Sequence, residues 1–203
     1  MKELGMQSNK LLKRACQYVF FIAALPMILL SLRRLGTFGD QAYYFFATSL
    51  ALVPGKIGGF LRTAFYRGTA EDIHWDVNIG FGTFFTKRTV RIGHNVGIGA
   101  YCMIGSAVIG PHCRIASRVS IPSGKHQHAS PDNADPSSAD SLFSQIHIGQ
   151  QTWVGEGAVI LADVGAGCIV GAGSVVVHPV LEGCTVAGNP AKIIRSKPCT
   201  STN

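Results

Sequence analysis

Two histidines close together, His126 and His128 in the run Ser-Gly-Lys-His-Gln-His (123–128), are the side chains best suited to chemistry in this chain. Imidazole titrates near neutral pH, so it can accept a hydroxyl proton or ligate a metal. As metal ligands the two would make only part of a zinc site, and no metal is expected. A second candidate group is cationic: Lys192, Arg195 and Lys197 cluster near the end of the chain, where they suit a phosphate or form a solvated tail. Six cysteines include no CxxC pair, and reduced thiols are expected.

The histidine run lies at the start of the longest irregular stretch, 122–147. Within it, Ala-Ser-Pro-Asp-Asn-Ala-Asp-Pro-Ser-Ser-Ala-Asp-Ser (129–141) has no hydrophobic residue except alanine, so it is expected to project from the body as a loop. Long insertions of this kind in a compact domain are usually functional.

What the loop interrupts is a repeat of six. Ile73, Ile79 and Phe85 are six apart, then Ile92, Ile98 and Ile104, then Ile109, Ile115 and Ile121. After the loop come Ile148, Val154 and Ile160, then Val164, Val170 and Val176. Glycine follows many of these residues, and the fourth position after the aliphatic one is small or slender: Val96, Cys102, Cys113, Val119, Thr152, Ala158, Cys168 and Ser174. The cysteines therefore fill a core slot. Such a hexapeptide pattern predicts a three-sided all-β solenoid of about five coils between residues 73 and 186, each unit a short strand and a corner, with aliphatic side chains stacked inward. Built from Ile73 onward, that stack is expected not to need the residues before it.

The chain is 203 residues long, with 14% charged and 47% hydrophobic residues, which excludes intrinsic disorder and a multidomain assembly. Its 24 glycines follow no Gly-X-Y period, which excludes collagen. The net charge of +7 is local: residues 1–70 carry nine basic side chains and only Glu3 and Asp40, whereas 71–203 are neutral overall. A nucleic-acid-binding domain would not divide in this way, and no such partner is expected. The basic third also holds two apolar stretches, Tyr18 to Leu32, with Pro26 at its centre, and Ala42 to Pro54. Both fall short of the roughly 17–25 residues of a perpendicular span, and no small-x-small cleavage site follows the first. They predict helices at an anionic membrane surface, with core or oligomer-interface helices as the alternative. The expected organisation is a basic apolar helical segment (1–70), a solenoid with its loop (71–186) and a tail (187–203).

In order along the chain, the hexapeptide rows, the loop opening in SGKHQH, TWVGEGAVI (152–160), IVGAGSVV (169–176) and AGNPAKIIR (187–195) resemble the xenobiotic and maltose or galactoside group of hexapeptide-repeat O-acetyltransferases. The segment PGKIGGFLRTAFY (54–66) further resembles acetyltransferases of exopolysaccharide and surface-glycan biosynthesis. The resemblance implies a left-handed parallel β-helix, a homotrimer with sites between subunits, and direct transfer from acetyl-CoA to a sugar hydroxyl. It implies His126 as general base, with His128 as runner-up. It also implies Lys192 and Arg195 near the nucleotide end of acetyl-CoA, Gly155, Ala172 and Gly173 at the turns along the pantetheine, and Trp153 beside that channel. One departure is visible: the Thr-Lys usual after GAGSVV is Val177-His178 here, leaving His178 as the candidate substitute. The histidine spacing of the related gamma carbonic anhydrase is absent, because no two histidines differ by five positions.

The reading is an acetyl-CoA-dependent O-acetyltransferase at the cytoplasmic face of the inner membrane, acting on a glycan or lipid-linked glycan acceptor. An antibiotic O-acetyltransferase and a non-catalytic membrane-associated solenoid scaffold are the alternatives.

Overall fold

The computed structural model describes residues 2–123 and 144–196, with side chains from Lys13 onward. Three helices lead: α1 (Lys2–Leu30), α2 (Gly36–Ala51) and α3 (Gly55–Thr69), with a 3-10 turn at Arg33–Leu35 between the first two. α1 runs on through Pro26.

From Asp72 the chain winds into a parallel solenoid with three faces. The first holds β1 (Asp72–Ile73), β4 (Val90–Ile92), β7 (Ala107–Ile109) and β10 (Ile146–Ile148), extended by bridges at Val164 and Val180. The second holds β2 (Asn78–Ile79), β5 (Gly97–Ile98), β8 (Arg114–Ile115), β11 (Trp153–Val154), β13 (Ile169–Val170) and β15 (Thr185–Ala187), closed by the antiparallel β16 (Lys192–Arg195). The third holds β3 (Phe84–Phe85), β6 (Met103–Ile104), β9 (Ser120–Ile121), β12 (Val159–Ile160) and β14 (Val175–Val176).

Two-residue strands cannot stand alone, so stability comes from stacking equivalent side chains. The register does this: Ile73, Ile92, Ile109 and Ile148 form one buried column, continued by Val164 and Val180, and Ile79, Ile98, Ile115, Val154, Val170 and Val186 form another. The small slot is filled as the repeat predicts. Val96, Cys102, Cys113, Val119, Thr152, Ala158, Cys168 and Ser174 are all buried.

One expectation is corrected. The first and second faces each carry six stacked positions, not five, so a sixth, partial coil closes the solenoid. Its signal was obscured because steps from Ile160 to Val164 and from Val176 to Val180 are four residues, leaving short third corners where the period of six breaks.

The solenoid does not stand free of the N-terminal third. An open coil would expose its stacked core, and α3 with α2 covers that end. Phe65 and Tyr66 are fully buried, and the Tyr66 ring stacks on Phe85 at 4.0 Å between centroids. The Phe85 backbone N–H donates to Tyr66 Oη (3.0 Å), while Tyr43 Oη donates to the Phe85 carbonyl (3.1 Å). α1 joins the same body through Ala24 and Ile28, through Gln17 donating to the Trp75 carbonyl, and through the Ser31 carbonyl accepting from Arg88.

By length and composition alone, the stretch Lys13–Ala51 is apolar enough to cross a membrane. It is broken by the turn at Arg33–Leu35, and its buried residues pack on the solenoid.

Candidate functional site

Three of the predicted binding residues, Trp153, Lys192 and Arg195, lie on strands of the second sheet. Register places Arg114, Trp153, Ile169, Thr185 and Arg195 in a single cross-strand row. Neighbouring strands are about 4.8 Å apart, so Trp153 and Arg195 are separated by roughly 14 Å. Trp153 is 46% exposed and Ile169 44%, which makes an apolar strip with Arg114 at one end of the row and Arg195 at the other. Arg195 and Lys192 are exposed, and neither forms an ion pair among the described residues.

The corner after this face holds the predicted turns. A Cβ on Gly155 would come within 2.5 Å of the Ala172 backbone nitrogen, so successive corners meet there with no room for a side chain. Gly173 takes a φ of +67° with open space where a Cβ would stand. Ala172 and Gly173 are exposed, and the corner is flanked by an Arg118–Glu156 pair at 3.6 Å. An exposed apolar strip beside exposed corner backbone, with Lys192 and Arg195 on its last strand, is suited to a long thin ligand with a phosphorylated end.

His178 is not part of this group. It follows β14 on the third face and is exposed at the corner beyond it, one side of the triangle away from Gly173.

His126 and His128 lie outside the described residues. The point of departure of their segment is nevertheless fixed, because Ser123 is buried and its Oγ accepts from the Ser106 backbone N–H (2.9 Å). The chain returns with Gln145 donating to the Thr89 carbonyl (3.1 Å) before β10. Both anchors are at third-face corners, so in one protomer the root of the histidine segment and the Trp153 row occupy different edges of the triangle.

The thiols serve packing. Burial raises the pKa of Cys102, Cys113 and Cys168, and Cys113 and Cys168 each donate to a carbonyl at 3.0 Å, on Gly149 and Leu181. A buried thiol kept protonated is a poor nucleophile.

Sequence reasoning passed over a histidine stack at the first corner. His74, His94 and His112 lie one above another, with the Nε2 atoms of His94 and His112 3.0 Å apart and His74 Nδ1 2.5 Å from Asp76. Their spacing of about one coil was the available signal. Among the described residues, no group of three or more histidine, cysteine or acidic side chains is arranged to hold a metal ion.

No family model matches the chain. It is 36% identical over 126 residues to the Escherichia coli (strain K12) protein WbbJ, which carries a provisional name as a lipopolysaccharide biosynthesis O-acetyl transferase. The match covers 57% of this chain, and the chain spans 62% of that relative's length. Among solved structures it is similar to a maltose O-acetyltransferase from Clostridium difficile 630, with a TM-score of 0.62 and 21% identity over 77% of this chain and 86% of the other. It is equally similar to a hexapeptide-repeat-containing acetyltransferase from Vibrio cholerae O1 biovar eltor, solved with acetyl-CoA: TM-score 0.62, 23% identity, 79% and 90% coverage. The solenoid is thus a left-handed parallel β-helix of the hexapeptide-repeat acetyltransferase fold.

Proposed function

We propose that the chain is an acetyl-CoA-dependent O-acetyltransferase acting on a sugar hydroxyl of a surface glycan or its lipid-linked intermediate. The observation that carries this is the exposed Trp153 to Arg195 row beside the Gly155, Ala172 and Gly173 corner, a surface with Lys192 and Arg195 on its last strand, in a left-handed β-helix shared with known acetyltransferases. The similarity to a protein named for lipopolysaccharide O-acetylation supports a glycan acceptor.

In this reading Lys192 and Arg195 hold the phosphates, the exposed corner lies along the pantetheine, and Trp153 walls the channel. His126 accepts the proton of the acceptor hydroxyl as its oxygen bonds to the thioester carbonyl carbon. The C–S bond then breaks, and the imidazolium returns the proton to the leaving thiolate, giving an acetyl ester and free CoA. His128 is the second candidate for that base. Because the root of the histidine segment and the channel occupy different edges of one protomer, a homotrimer that brings an edge of one subunit to a face of the next would complete the site.

The N-terminal helices support attachment to a membrane, at the cytoplasmic face where acetyl-CoA is made. Tyr18, Ile22, Leu25 and Leu29 form an exposed apolar stripe on α1, opposite buried Gln17, Ala24, Ile28 and Ser31. Phe38, Phe45 and Leu52 are exposed along α2, and Arg14, Arg33, Arg34 and Lys56 flank the stripes. Attachment favours a glycan intermediate over a diffusible antibiotic as acceptor.

The test is transfer itself. Full-length protein with acetyl-CoA and extracted glycan should release free thiol and add one acetyl mass to the glycan. His126→Ala should lower turnover by at least about 10²-fold while acetyl-CoA binding persists. A deeper loss in His128→Ala would exchange the two roles, and failure to bind acetyl-CoA would return the chain to a scaffold.

A further inference from the structure

A cavity of about 620 Å³ opens at the other end of the molecule, between α1, α3 and the first coil, far along the stack from the Trp153 row. Its lining includes Lys13, Lys56, Arg62, Asn78 and Phe60, and no aspartate or glutamate among the described residues. Arg62 is only 1% exposed, and no carboxylate pairs with it among the described residues. Its Nε donates to the Ile79 carbonyl (3.1 Å), and its Nη1 to the carbonyls of Leu50 (3.0 Å) and Val53 (2.8 Å) at the end of α2.

Leu50 lies in the last turn of α2, at the negative end of its helix dipole, whereas Ile79 belongs to β2. These carbonyls satisfy hydrogen bonds of Arg62 without supplying a formal counter-charge, in a wall where desolvation is costly. Lys13 and Lys56 add two more cations at the rim, and neither forms an ion pair among the described residues. α3 starts at the same rim with no acidic residue in its first turn and no side-chain cap, so its amide end contributes further positive potential.

We propose that this groove is an anion site for a phosphate or diphosphate group. Three cations and a helix start, with no acid among the described lining residues, suit a multiply charged phosphoryl group. The volume exceeds that of a lone phosphate, and Tyr18 of the α1 apolar stripe and Ile57 lie near its lining residues in sequence, both exposed. A lipid-borne diphosphate could therefore seat its charge in the groove with its chain along the helices. That lipid source rests on the membrane reading above; the anion site itself does not.

The test uses full-length protein in mild detergent, with binding followed by calorimetry. Probes are inorganic pyrophosphate and farnesyl diphosphate, the latter a soluble model of a lipid diphosphate. Both should bind, and Lys13→Gln with Lys56→Gln should weaken both by at least about tenfold at low salt, with unchanged melting temperature and acetyl-CoA affinity. Lys13→Arg with Lys56→Arg should restore binding. Tighter binding of farnesyl diphosphate assigns the site to a lipid headgroup, and equal affinity assigns it to a free anion. The proposal is overturned if the glutamine double variant binds pyrophosphate like wild type, or if acetyl-CoA displaces the bound pyrophosphate, which would place the anion on the Lys192 and Arg195 end.

Discussion

Lys192 and Arg195 belong to the last strand of the second sheet, where a short antiparallel return places them beside Ala187 and Thr185. Both are exposed, so their charges act in high dielectric, and in the proposed role each phosphate contact would be modest and screened by salt. Replacing both by alanine should raise the KM for acetyl-CoA by roughly one order of magnitude with kcat nearly unchanged, since a phosphate far from the carbonyl is held equally in ground and transition states. Raising the ionic strength should shrink the difference between variant and wild type. A kcat loss without a KM change would remove these residues from the nucleotide end. Their proposed role comes from the order of motifs in the sequence, whereas the row joining Arg195 to Trp153 was not legible there, because it depends on a register across four strands. His178 shows the converse: adjacency to a motif in sequence placed it near the channel, whereas the corner after β14 turns it to another edge.

At the scale of elements, the parallel strands were legible because each is a two- or three-residue unit whose inward residue mostly repeats every six positions. In α3 the helix was legible, since Ile57, Phe60, Leu61, Ala64 and Phe65 recur at helical spacing, but its packing was not: Arg62, Thr63 and Tyr66 are buried as well, giving five consecutive buried residues from Arg62 to Tyr66. The cause is that α3 lies between α1 and the open end of the coil, and is covered on more than one side. Its function as a plug can be measured. Tyr66→Phe removes the acceptor for the buried Phe85 N–H and leaves that donor unsatisfied, at a cost of about 1–3 kcal/mol. The melting temperature should fall by several degrees, while the KM for acetyl-CoA stays at the wild-type value. An unchanged melting temperature would mean that the first coil does not depend on its cap. Burial also holds the Tyr66 phenol far above its ordinary pKa, so the hydroxyl stays protonated throughout any usable pH range.

The whole molecule is polarised along the solenoid axis. One end carries three helices, a net charge of +7 within residues 1–70 and outward apolar stripes; the other carries the channel and β16. Large apolar side chains exposed in a continuous series, as Tyr18, Ile22, Leu25, Leu29, Phe38 and Phe45 are, mark a surface that is covered in use. A lipid surface satisfies both the stripe and its basic flanks, since buried apolar area and attraction to anionic headgroups contribute together. Full-length protein should therefore sediment with vesicles of phosphatidylcholine and phosphatidylglycerol, and most of it should remain bound after a high-salt wash. Replacing Ile22, Leu29 and Phe45 together by serine should release it into the wash, because only the screened charge attraction is left. These positions are exposed, so the folded solenoid and its acetyl-CoA affinity should survive the substitutions. Full-length protein that stays in the supernatant without detergent would instead assign the stripes to contacts between copies of the chain, and would remove the membrane argument for a lipid-linked acceptor.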